Sequence, residues 1–565
     1  MLSKHDLTRP NKDLETMLSG ALSVKAHCIP FSQIPHATRL FQDLLAYTPQ
    51  VRSFYPRSPY FHEWLKEEAE QISYEASRRQ DVTGILERQN RSWNASEKTL
   101  ANLNRLRKGA AAIVTGQQVG LFGGPTFSLY KALSAVKLAN EATAAGVDAV
   151  PVFWLATYDH DLAEVNHVSL PRADGSLEVL TTASKDVPGA PVSSVRFDNE
   201  INSVVEQAVG LLGDTEASQI LRDSYRPGET MGTAFARFCA RIFADWGVIL
   251  VDPSDPEFGR VVEPVYRAAI QKSEELAGRL LTRGKALDEA GYHQQVKVTE
   301  SSVLLFTTRQ GARMPLSRRV VADSAEFVVD GVAAGEKLSE SELLNEISAH
   351  PERFSPNVLL RPIVEDYLLP TLAYTGGAAE AAYFAQAGVV YEALLGRVTP
   401  ILPRFSATMI EPKAQRLLEK HELTIGDVFE GPEALRQRIA AKQLPRDLQA
   451  AFEAAQKSFE ENFSAVKSEL QKLDKTLVDA AETCHSKMQH QLEKLYAQAA
   501  RAEALKGELV SRHAEGLSQA LYPNRGLQER TIGGVYFLAR YGHDLLHQLY
   551  ETINSSCHDH QVVEL

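Results

Sequence analysis

The chain has 565 residues, of which 44% are apolar and 23% are charged, and its formal net charge is -12. At roughly 150 residues per domain, this length accommodates about three or four domains, and the composition is typical of a folded globular protein. The acidic excess disfavours nucleic acids and anionic membrane surfaces as partners, because no diffuse positive field attracts them.

The N-terminus and the cysteines predict a cytoplasmic protein. The first residues lack the apolar core of a signal peptide, and no segment has the roughly 18 uncharged apolar residues of a membrane helix. Cys28, Cys239, Cys484 and Cys557 are far apart in the sequence and form no CxxC pair. This spacing predicts neither a disulfide framework nor a cysteine zinc site.

The first half of the chain contains a βαβ pattern. Residues 1–108 are predicted to be mainly helical, and the apolar run 110–115 is predicted to be a buried strand that ends in the glycine-rich loop 116–125. An amphipathic helix follows over about 126–145, and 149–155 is a second apolar strand. Both strands therefore end at the same edge of a parallel sheet, where open α/β sheets bind ligands.

Three later apolar runs, 247–251, 358–364 and 398–402, are predicted to be further strands of this sheet. Between them, residues 168–200 and 296–332 show alternating polarity and many turn residues. These stretches predict small β-containing insertions in an α/β core.

Residues 445–523 have the spacing of a coiled coil. Apolar positions recur at intervals of three, four and seven: Phe452, Phe459, Phe463, Val466, Leu470, Leu473, Leu477, Ala481, Cys484, Met488, Leu492 and Leu495. A single helix of about 60 residues would be about 90 Å long, which exceeds the diameter of the remaining globule. We expect an antiparallel hairpin that also dimerises, with one continuous helix as the alternative.

The glycine-rich loop is a candidate anion or nucleotide site, because free backbone N–H groups at a helix N-terminus attract phosphate. Its candidate residues are Gly116, Gln117, Gln118, Gly120, Gly123, Gly124 and Thr126, with Lys131 further along the helix. The loop matches neither GxGxxG nor GxxxxGK[ST], which disfavours a dinucleotide fold and a P-loop kinase. The alternatives are a plain strand-to-helix turn and a solvated Lys131.

The second strand leads to the best acid/base candidates, Asp159, His160 and Asp161. A carboxylate beside His160 could orient the imidazole for removing a proton from an amine. Glu164, Asn166 and His167 follow as binding candidates. The alternatives are that the aspartates cap a helix, or that His160, Glu164 and His167 hold a metal ion. Because there is no fourth ligand, we predict no metal site.

A third group of candidates could bind a carboxylate. Arg361, expected at a strand end, offers a forked guanidinium, and Gly376 and Gly377 offer backbone donors before a helix. Glu380, Tyr383 and Arg404 complete the group. The alternative is a salt bridge beside a capped helix.

Four segments of the chain, residues 114–125, 151–167, 355–362 and 522–530, closely resemble the bacillithiol synthase family, the cysteine ligase of bacillithiol biosynthesis. The resemblance implies a Rossmann-like core with connecting-peptide insertions, distantly similar to class I aminoacyl-tRNA synthetases, and a coiled-coil domain associated with dimerisation. It also implies that a nucleotide, ATP or ADP, can bind. One departure is Phe122 with two following glycines in the first segment.

The family's reaction joins L-cysteine to the amine of glucosaminyl malate. On this basis we expect His160, with Asp159 or Asp161, to act on the amine, and Arg361 with the Gly376–Gly377 turn to bind malate. The alternatives are a nucleotidyltransferase, a tRNA-charging enzyme and a non-catalytic coiled-coil scaffold. The acidic charge disfavours binding of tRNA.

The chain is expected to divide into three parts. The catalytic core spans 1–410 with insertions at about 168–230 and 290–350, the helical coiled-coil domain spans 411–523, and a helical segment, 524–565, packs back on the core.

Overall fold

The computed structural model describes residues 25–565 except 184–187, 322–323, 332–334, 443 and 505–506. The strands are β1 (Lys25–Ile29), β2 (Ala111–Gln117), β3 (Ala149–Leu155), β4 (His167–Pro171), β5 (Leu177–Thr181), β6 (Ile249–Val251), β7 (Ser302–Arg309), β8 (Ala312–Val321), β9 (Ser324–Val329), β10 (Glu336–Ser339), β11 (Phe354–Pro356), β12 (Thr371–Gly376), β13 (Ile401–Pro403), β14 (Ala407–Ile410) and β15 (His560–Glu564).

The α-helices are α1 (Arg39–Ala46), α2 (Leu65–Glu70), α3 (Ala76–Ser92), α4 (Glu97–Lys108), α5 (Phe127–Ala144), α6 (Leu162–Val165), α7 (Glu200–Leu212), α8 (Glu216–Ser224), α9 (Met231–Ile242), α10 (Pro256–Gln271), α11 (Ser273–Glu289), α12 (Glu340–Ala349), α13 (Arg361–Leu368), α14 (Ala378–Leu394), α15 (Pro412–Lys420), α16 (Ile425–Phe429), α17 (Pro432–Ala441), α18 (Arg446–Leu473), α19 (Leu477–Ala504), α20 (Glu508–Leu521), α21 (Gln528–Thr531), α22 (Gly534–Tyr541) and α23 (Asp544–Thr552). Among the described residues, no helix is both long and apolar enough to cross a membrane.

The core is a parallel sheet with the strand order β13-β12-β2-β3-β6. Strand β3 is buried along its whole length, and β2 is buried up to its last residue. Helix α5 connects β2 to β3, and α14 connects β12 to β13. The predicted parallel α/β core is therefore confirmed, and the carboxyl ends of β2, β3 and β12 lie side by side.

The predicted strand at 358–364 is wrong. Helix α13 begins at Arg361, and the Asn357 side chain accepts the N–H groups of Leu359 and Leu360 just before it. A proline in the first turn suits a helix start, because its missing N–H would be unpaired there anyway. The strand of the core sheet in this region is β12, which follows helix α13.

The stretches with alternating polarity form two small antiparallel sheets. Strands β4 and β5 pair as a hairpin. Strands β7 to β11 form a sheet with the order β10-β9-β8-β7-β11. This second sheet carries side chains to the carboxyl edge of the core.

Helices α18 and α19 form an antiparallel hairpin. Phe452 contacts Tyr496 and Phe459 stacks on His485, so the pairing runs in opposite directions along the two helices. The turn between them is held by the Asp474 carboxylate, which accepts the Thr476 N–H at 2.8 Å. The predicted hairpin is confirmed, and the alternative of one continuous helix is wrong.

The two ends of the described chain meet in a third sheet. Strand β15 pairs antiparallel with β1 and parallel with β14. The segment 524–565, expected to be helical, thus ends in a strand that joins the N-terminal strand to the end of the core.

We expect acid to destabilise this junction through His560. Its side chain is buried between the hydroxyls of Ser406 and Thr408, each 2.8 Å from a ring nitrogen. Burial lowers the pKa of His560 to about 4, so the unfolded chain takes up a proton between pH 6.5 and 4 that the folded chain does not. The free energy of unfolding should therefore fall by about 3 kcal/mol over this range.

Urea denaturation at a series of pH values measures this fall. It should be absent in His560→Gln, whereas the control His27→Gln, at an exposed position, should keep it. Equal pH dependence in both variants would contradict the assignment.

Candidate functional site

A cavity of about 420 Å³ lies at the carboxyl edge of the core sheet. The ends of β2, β3 and β12 form its floor, and β8, α13 and α21 supply side chains from the surrounding elements. It is lined by Gly116, Gln117, Gln118, Phe127, Lys131, Trp154, Ala156, Tyr158, Asp159, Arg313, Pro356, Asn357, Val358, Arg361, Tyr374, Gly377, Ala379, Glu380, Tyr383, Arg404 and Arg530.

The cavity gathers about half of the residues that the sequence singled out. Those that line it are Gly116, Gln117, Gln118, Lys131, Asp159, Arg361, Gly377, Glu380, Tyr383 and Arg404. Those outside the lining are Gly120, Gly123, Gly124, Thr126, His160, Asp161, Glu164, Asn166, His167 and Gly376.

Several amides of the glycine loop, which were expected to be free, are hydrogen-bonded within the protein. The N–H groups of Gly120, Gly123 and Thr126 donate to Gln118 O, Tyr225 Oη and Ile532 O, at 3.0, 3.0 and 2.9 Å. Gly123 has φ +88°, and a Cβ there would lie 2.4 Å from the Phe238 ring. These glycines therefore serve tight packing. These amides are therefore not available to a nucleotide phosphate, and we derive no reaction step through a nucleotide.

Lys131 is neither solvated nor free for a phosphate. Its side chain is 5% exposed, and Nζ donates to Gly116 O at 2.6 Å and to Gln117 Oε1 and Glu380 Oε1, both at 2.8 Å. Burial lowers the pKa of Lys131 to about 8, although the Glu380 carboxylate opposes this shift. The ammonium thus ties β2 to helix α14 beneath the cavity.

Glu380 occupies the donors that were expected to bind malate. Its carboxylate accepts the Gly377 N–H at 2.8 Å and the Tyr374 hydroxyl at 2.6 Å. Burial opposes ionisation, but Lys131 and these hydrogen bonds outweigh it and lower the pKa of Glu380. The Gly376–Gly377 turn is therefore a capped helix start.

Arg361 stands at the first position of α13 rather than at a strand end. Its guanidinium donates to Glu365 Oε2 and to the Tyr383 hydroxyl, both at 2.6 Å. The guanidinium is thus engaged within the protein, although burial raises the pKa of Glu365 to about 8 against the opposing effect of Arg361.

Arg404 lines the cavity and forms an ion pair with Glu529, which lies behind it. Their side chains are 5% and 1% exposed, and Nη2 lies 2.6 Å from Oε1. Glu529 also accepts the Ser406 hydroxyl at 3.1 Å and the Ala407 N–H at 3.0 Å. Burial opposes ionisation of Glu529, but Arg404 outweighs it and lowers the pKa. This pair joins the C-terminal segment to the core.

Two arginines that the sequence interpretation did not select line the cavity without a carboxylate of the described chain in ion-pair contact. In the described part of the chain, neither Arg313 nor Arg530 has a carboxylate within ion-pair distance. Arg313 donates to Ser355 Oγ at 2.9 Å and Pro356 O at 2.7 Å, and burial lowers its pKa to about 10, so it stays charged at neutral pH. Arg530 lies beside the Phe127 ring. Arg530 stands in one of the four segments noted in the sequence, but no motif marks Arg313.

The Asp159–His160 pair differs from the expected one. Asp159 lines the cavity, where its Oδ2 accepts the Gln118 amide at 2.5 Å, and its Oδ1 lies 3.8 Å from His160 Nδ1, too far for a hydrogen bond. Arg313 Nη1 lies 3.3 Å from Nδ1 instead. A guanidinium can only donate, so Nδ1 is the acceptor and Nε2 carries the proton. Asp161 is exposed and lies outside the cavity.

Two family models match the chain: the N-terminal Rossmann-like domain of the bacillithiol biosynthesis protein BshC over residues 24–405, and the C-terminal coiled-coil domain of BshC over residues 407–565. The chain belongs to the BshC family. Relatives with the curated name "Putative cysteine ligase BshC" match along nearly their whole length. The Koribacter versatilis protein is 48% identical over 95% of this chain and 99% of its own. Those of Solibacter usitatus and Salinibacter ruber are 35% and 32% identical, each over 95% of this chain and 99% and 98% of their own.

In this member of the BshC family, the four segments noted in the sequence converge on one cavity. They contribute Gly116 to Gln118, Trp154 with Asp159, Pro356 with Arg361, and Arg530. The predicted α/β core and coiled coil are the two domains of the family.

The remaining candidates have structural contacts in this BshC chain. Glu164 accepts the Gln118 amide at 2.7 Å, Asn166 pairs with Thr182, and exposed His167 contacts Ala163 O at 3.1 Å. Within the described ranges, no group of three or more His, Cys, Asp or Glu side chains is positioned to hold a metal ion.

Proposed function

We propose that this chain is a cysteine ligase that joins L-cysteine to the amine of glucosaminyl malate, forming an amide. The observation that carries the proposal is the pair of guanidinium groups without an ion-pair partner among the described residues, Arg313 and Arg530, in a cavity that also holds the Asp159 carboxylate. The names of the relatives support a cysteine ligase.

The malate end of the substrate carries two carboxylates, and it must be captured by a protein with a net charge of -12. Local donors must therefore overcome the overall field. Arg361, Arg404 and Lys131 already hold carboxylates of the protein, so they contribute rigidity rather than free charge. We assign the malate carboxylates to Arg313 and Arg530.

The amine end calls for a negative or neutral acceptor. Asp159 is the cavity carboxylate that no ammonium or guanidinium of the described chain neutralises within ion-pair distance. We assign it to bind the amine and take up its proton. His160 lies outside the lining and contacts Arg313 through Nδ1, so in this proposal it positions the Arg313 guanidinium.

Replacing Arg530 with Met should raise the KM for glucosaminyl malate about 10- to 100-fold with little change in kcat. A hydrogen bond to a charged group contributes roughly 1.5–3 kcal/mol, which corresponds to this range. Arg525→Met, at an exposed arginine outside the cavity, is the matched control and should leave the KM unchanged. Initial rates at varied glucosaminyl malate measure both, and an unchanged KM in Arg530→Met would contradict the assignment.

Thiol profiling in cells tests the reaction itself. In a bacillithiol-producing strain that lacks its own enzyme for this step, expression of the chain should restore bacillithiol and remove accumulated glucosaminyl malate. Soluble expression without restoration would contradict the ligase proposal and favour the scaffold or tRNA-charging alternatives.

We also propose that the α18–α19 hairpin dimerises. The hairpin exposes four apolar side chains to solvent: Val466 (53%), Leu473 (78%), Met488 (52%) and Leu495 (55%). An exposed apolar surface of this kind is typical of a helix interface. Sedimentation should give a dimer for the wild type and a monomer for Val466→Glu/Met488→Glu, with Lys487→Glu as the control. A monomeric wild type, or a dimeric double variant, would contradict the proposal.

A further inference from the structure

Cys28 and Cys557 lie next to each other although they are separated by almost the whole chain. The two Sγ atoms are 3.1 Å apart. Cys28 is exposed on β1, and Cys557 is partly exposed in the loop that precedes β15. The sequence interpretation predicted no disulfide, because the spacing along the chain gives no sign of this contact.

The backbone around the two thiols is held in register. Cys28 pairs with Gln561 of β15, and the Cys557 N–H donates to Asn554 O at 3.1 Å. Formation of an S–S bond of about 2.05 Å requires the sulfur atoms to approach by only about 1 Å. The structure thus presents two accessible thiols on a fixed scaffold.

We propose that Cys28 and Cys557 form a redox-active dithiol that is oxidised to an intramolecular disulfide by exchange with a low-molecular-weight disulfide. Cys557 attacks one sulfur of that disulfide, which forms a mixed disulfide and releases one thiol. Cys28 then attacks Cys557 Sγ, which forms the internal bond and releases the second thiol. The two protein thiol protons pass to the two leaving thiols, so the external disulfide is reduced as the protein is oxidised.

The surroundings of Cys28 support this order. Burial and the neighbouring Cys557 raise the pKa of the Cys28 thiol to about 12, so its thiolate is scarce at neutral pH. Once Cys557 is in a mixed disulfide, Cys28 has its target within contact distance.

The disulfide would reinforce the junction that carries the Arg404–Glu529 pair. Cys557 and Arg404 line the same small second cavity. Three residues later, His560 contacts Ser406, whose hydroxyl donates to Glu529. In this proposal, oxidation therefore restricts the motion of the C-terminal segment, which supplies Arg530 to the substrate cavity.

The test uses full-length protein with Cys484→Ser, which removes the lone exposed thiol of the coiled coil. After incubation with cystine, the intact mass should fall by two hydrogen atoms, and a peptide pair linking Cys28 to Cys557 should appear. The thermal unfolding midpoint should rise by about a few degrees and return on reduction, because the cross-link restricts the unfolded chain.

Two further variants make the outcome specific. Adding Cys28→Ser should arrest the reaction at one cysteine adduct on Cys557, and adding Cys557→Ser should likewise prevent the loss of two hydrogen atoms, because no partner thiol remains. Stable adducts on both thiols of the parent protein, a link between two chains, or two thiols that do not react would each overturn the proposal.

Discussion

Replacing Asp159 with Asn is expected to lower kcat/KM for amide formation by about 100-fold or more. Asp159 is the cavity carboxylate assigned to the amine, and a positioned acid or base contributes roughly 10²–10⁴ to such a rate. Its amide replacement keeps the size and the contact with Gln118 but cannot take up a proton. Initial rates of bacillithiol formation at limiting glucosaminyl malate measure the loss.

Two neighbours serve as controls for this result. Asp161→Asn should stay within about twofold of the wild type, because Asp161 is exposed outside the cavity. His160→Gln should lose only about 10-fold, the worth of one hydrogen bond, because the contact of His160 with the substrate cavity runs through Arg313. A larger loss of kcat/KM in His160→Gln than in Asp159→Asn would indicate that His160 is the base. If neither variant lost activity, neither residue would take part in the reaction.

Replacing Arg404 with Met is expected to destabilise the protein by about 3–5 kcal/mol and to abolish most activity. The variant leaves Glu529 buried without its cation, and breaking a buried pair from one side carries a cost of this size. The double variant Arg404→Met/Glu529→Gln should regain much of the stability but not the activity, because it removes the stranded charge without rebuilding the cavity wall. Urea unfolding followed by pulse proteolysis measures the stability of each variant.

A more exposed ion pair of the same kind is the matched control. Arg540 contacts Glu411 at 2.7 Å, with side chains 56% and 20% exposed. Arg540→Met should change the free energy of unfolding by less than about 1 kcal/mol. If the double variant is no more stable than Arg404→Met alone, the stranded charge is not the cause of the loss.

Local patterns were sufficient to predict most of the fold. Strands β2, β3 and β6 are short apolar runs that end in turns. Helices α18 and α19 have apolar residues at the three-, four- and seven-residue intervals of a coiled coil. The prediction failed at 358–364, because a short buried apolar run has the same pattern in a strand as in a helix. There the Asn357 side chain and Pro362 start a helix, a local contact that the hydrophobic pattern does not reveal.

The site was partly predictable for a related reason. The topology of a βαβ unit brings strand ends together, so Gln118, Lys131 and Asp159 could be expected near one another. Which charges remain free depends on long-range partners. The sequence does not reveal which glutamates pair with Arg361, Lys131 and Arg404. It also does not reveal that Arg313 reaches the cavity from an inserted sheet.

Calorimetric titration with glucosaminyl malate tests the central claim most directly. The wild type should bind it, Arg313→Met and Arg530→Met should each weaken the affinity about 10-fold or more, and the double variant should show no measurable binding. Glucosamine without the malate group should bind the wild type weakly and should be insensitive to both substitutions. Equal affinity of the double variant and the wild type for glucosaminyl malate would contradict the assignment of the two arginines to the malate carboxylates.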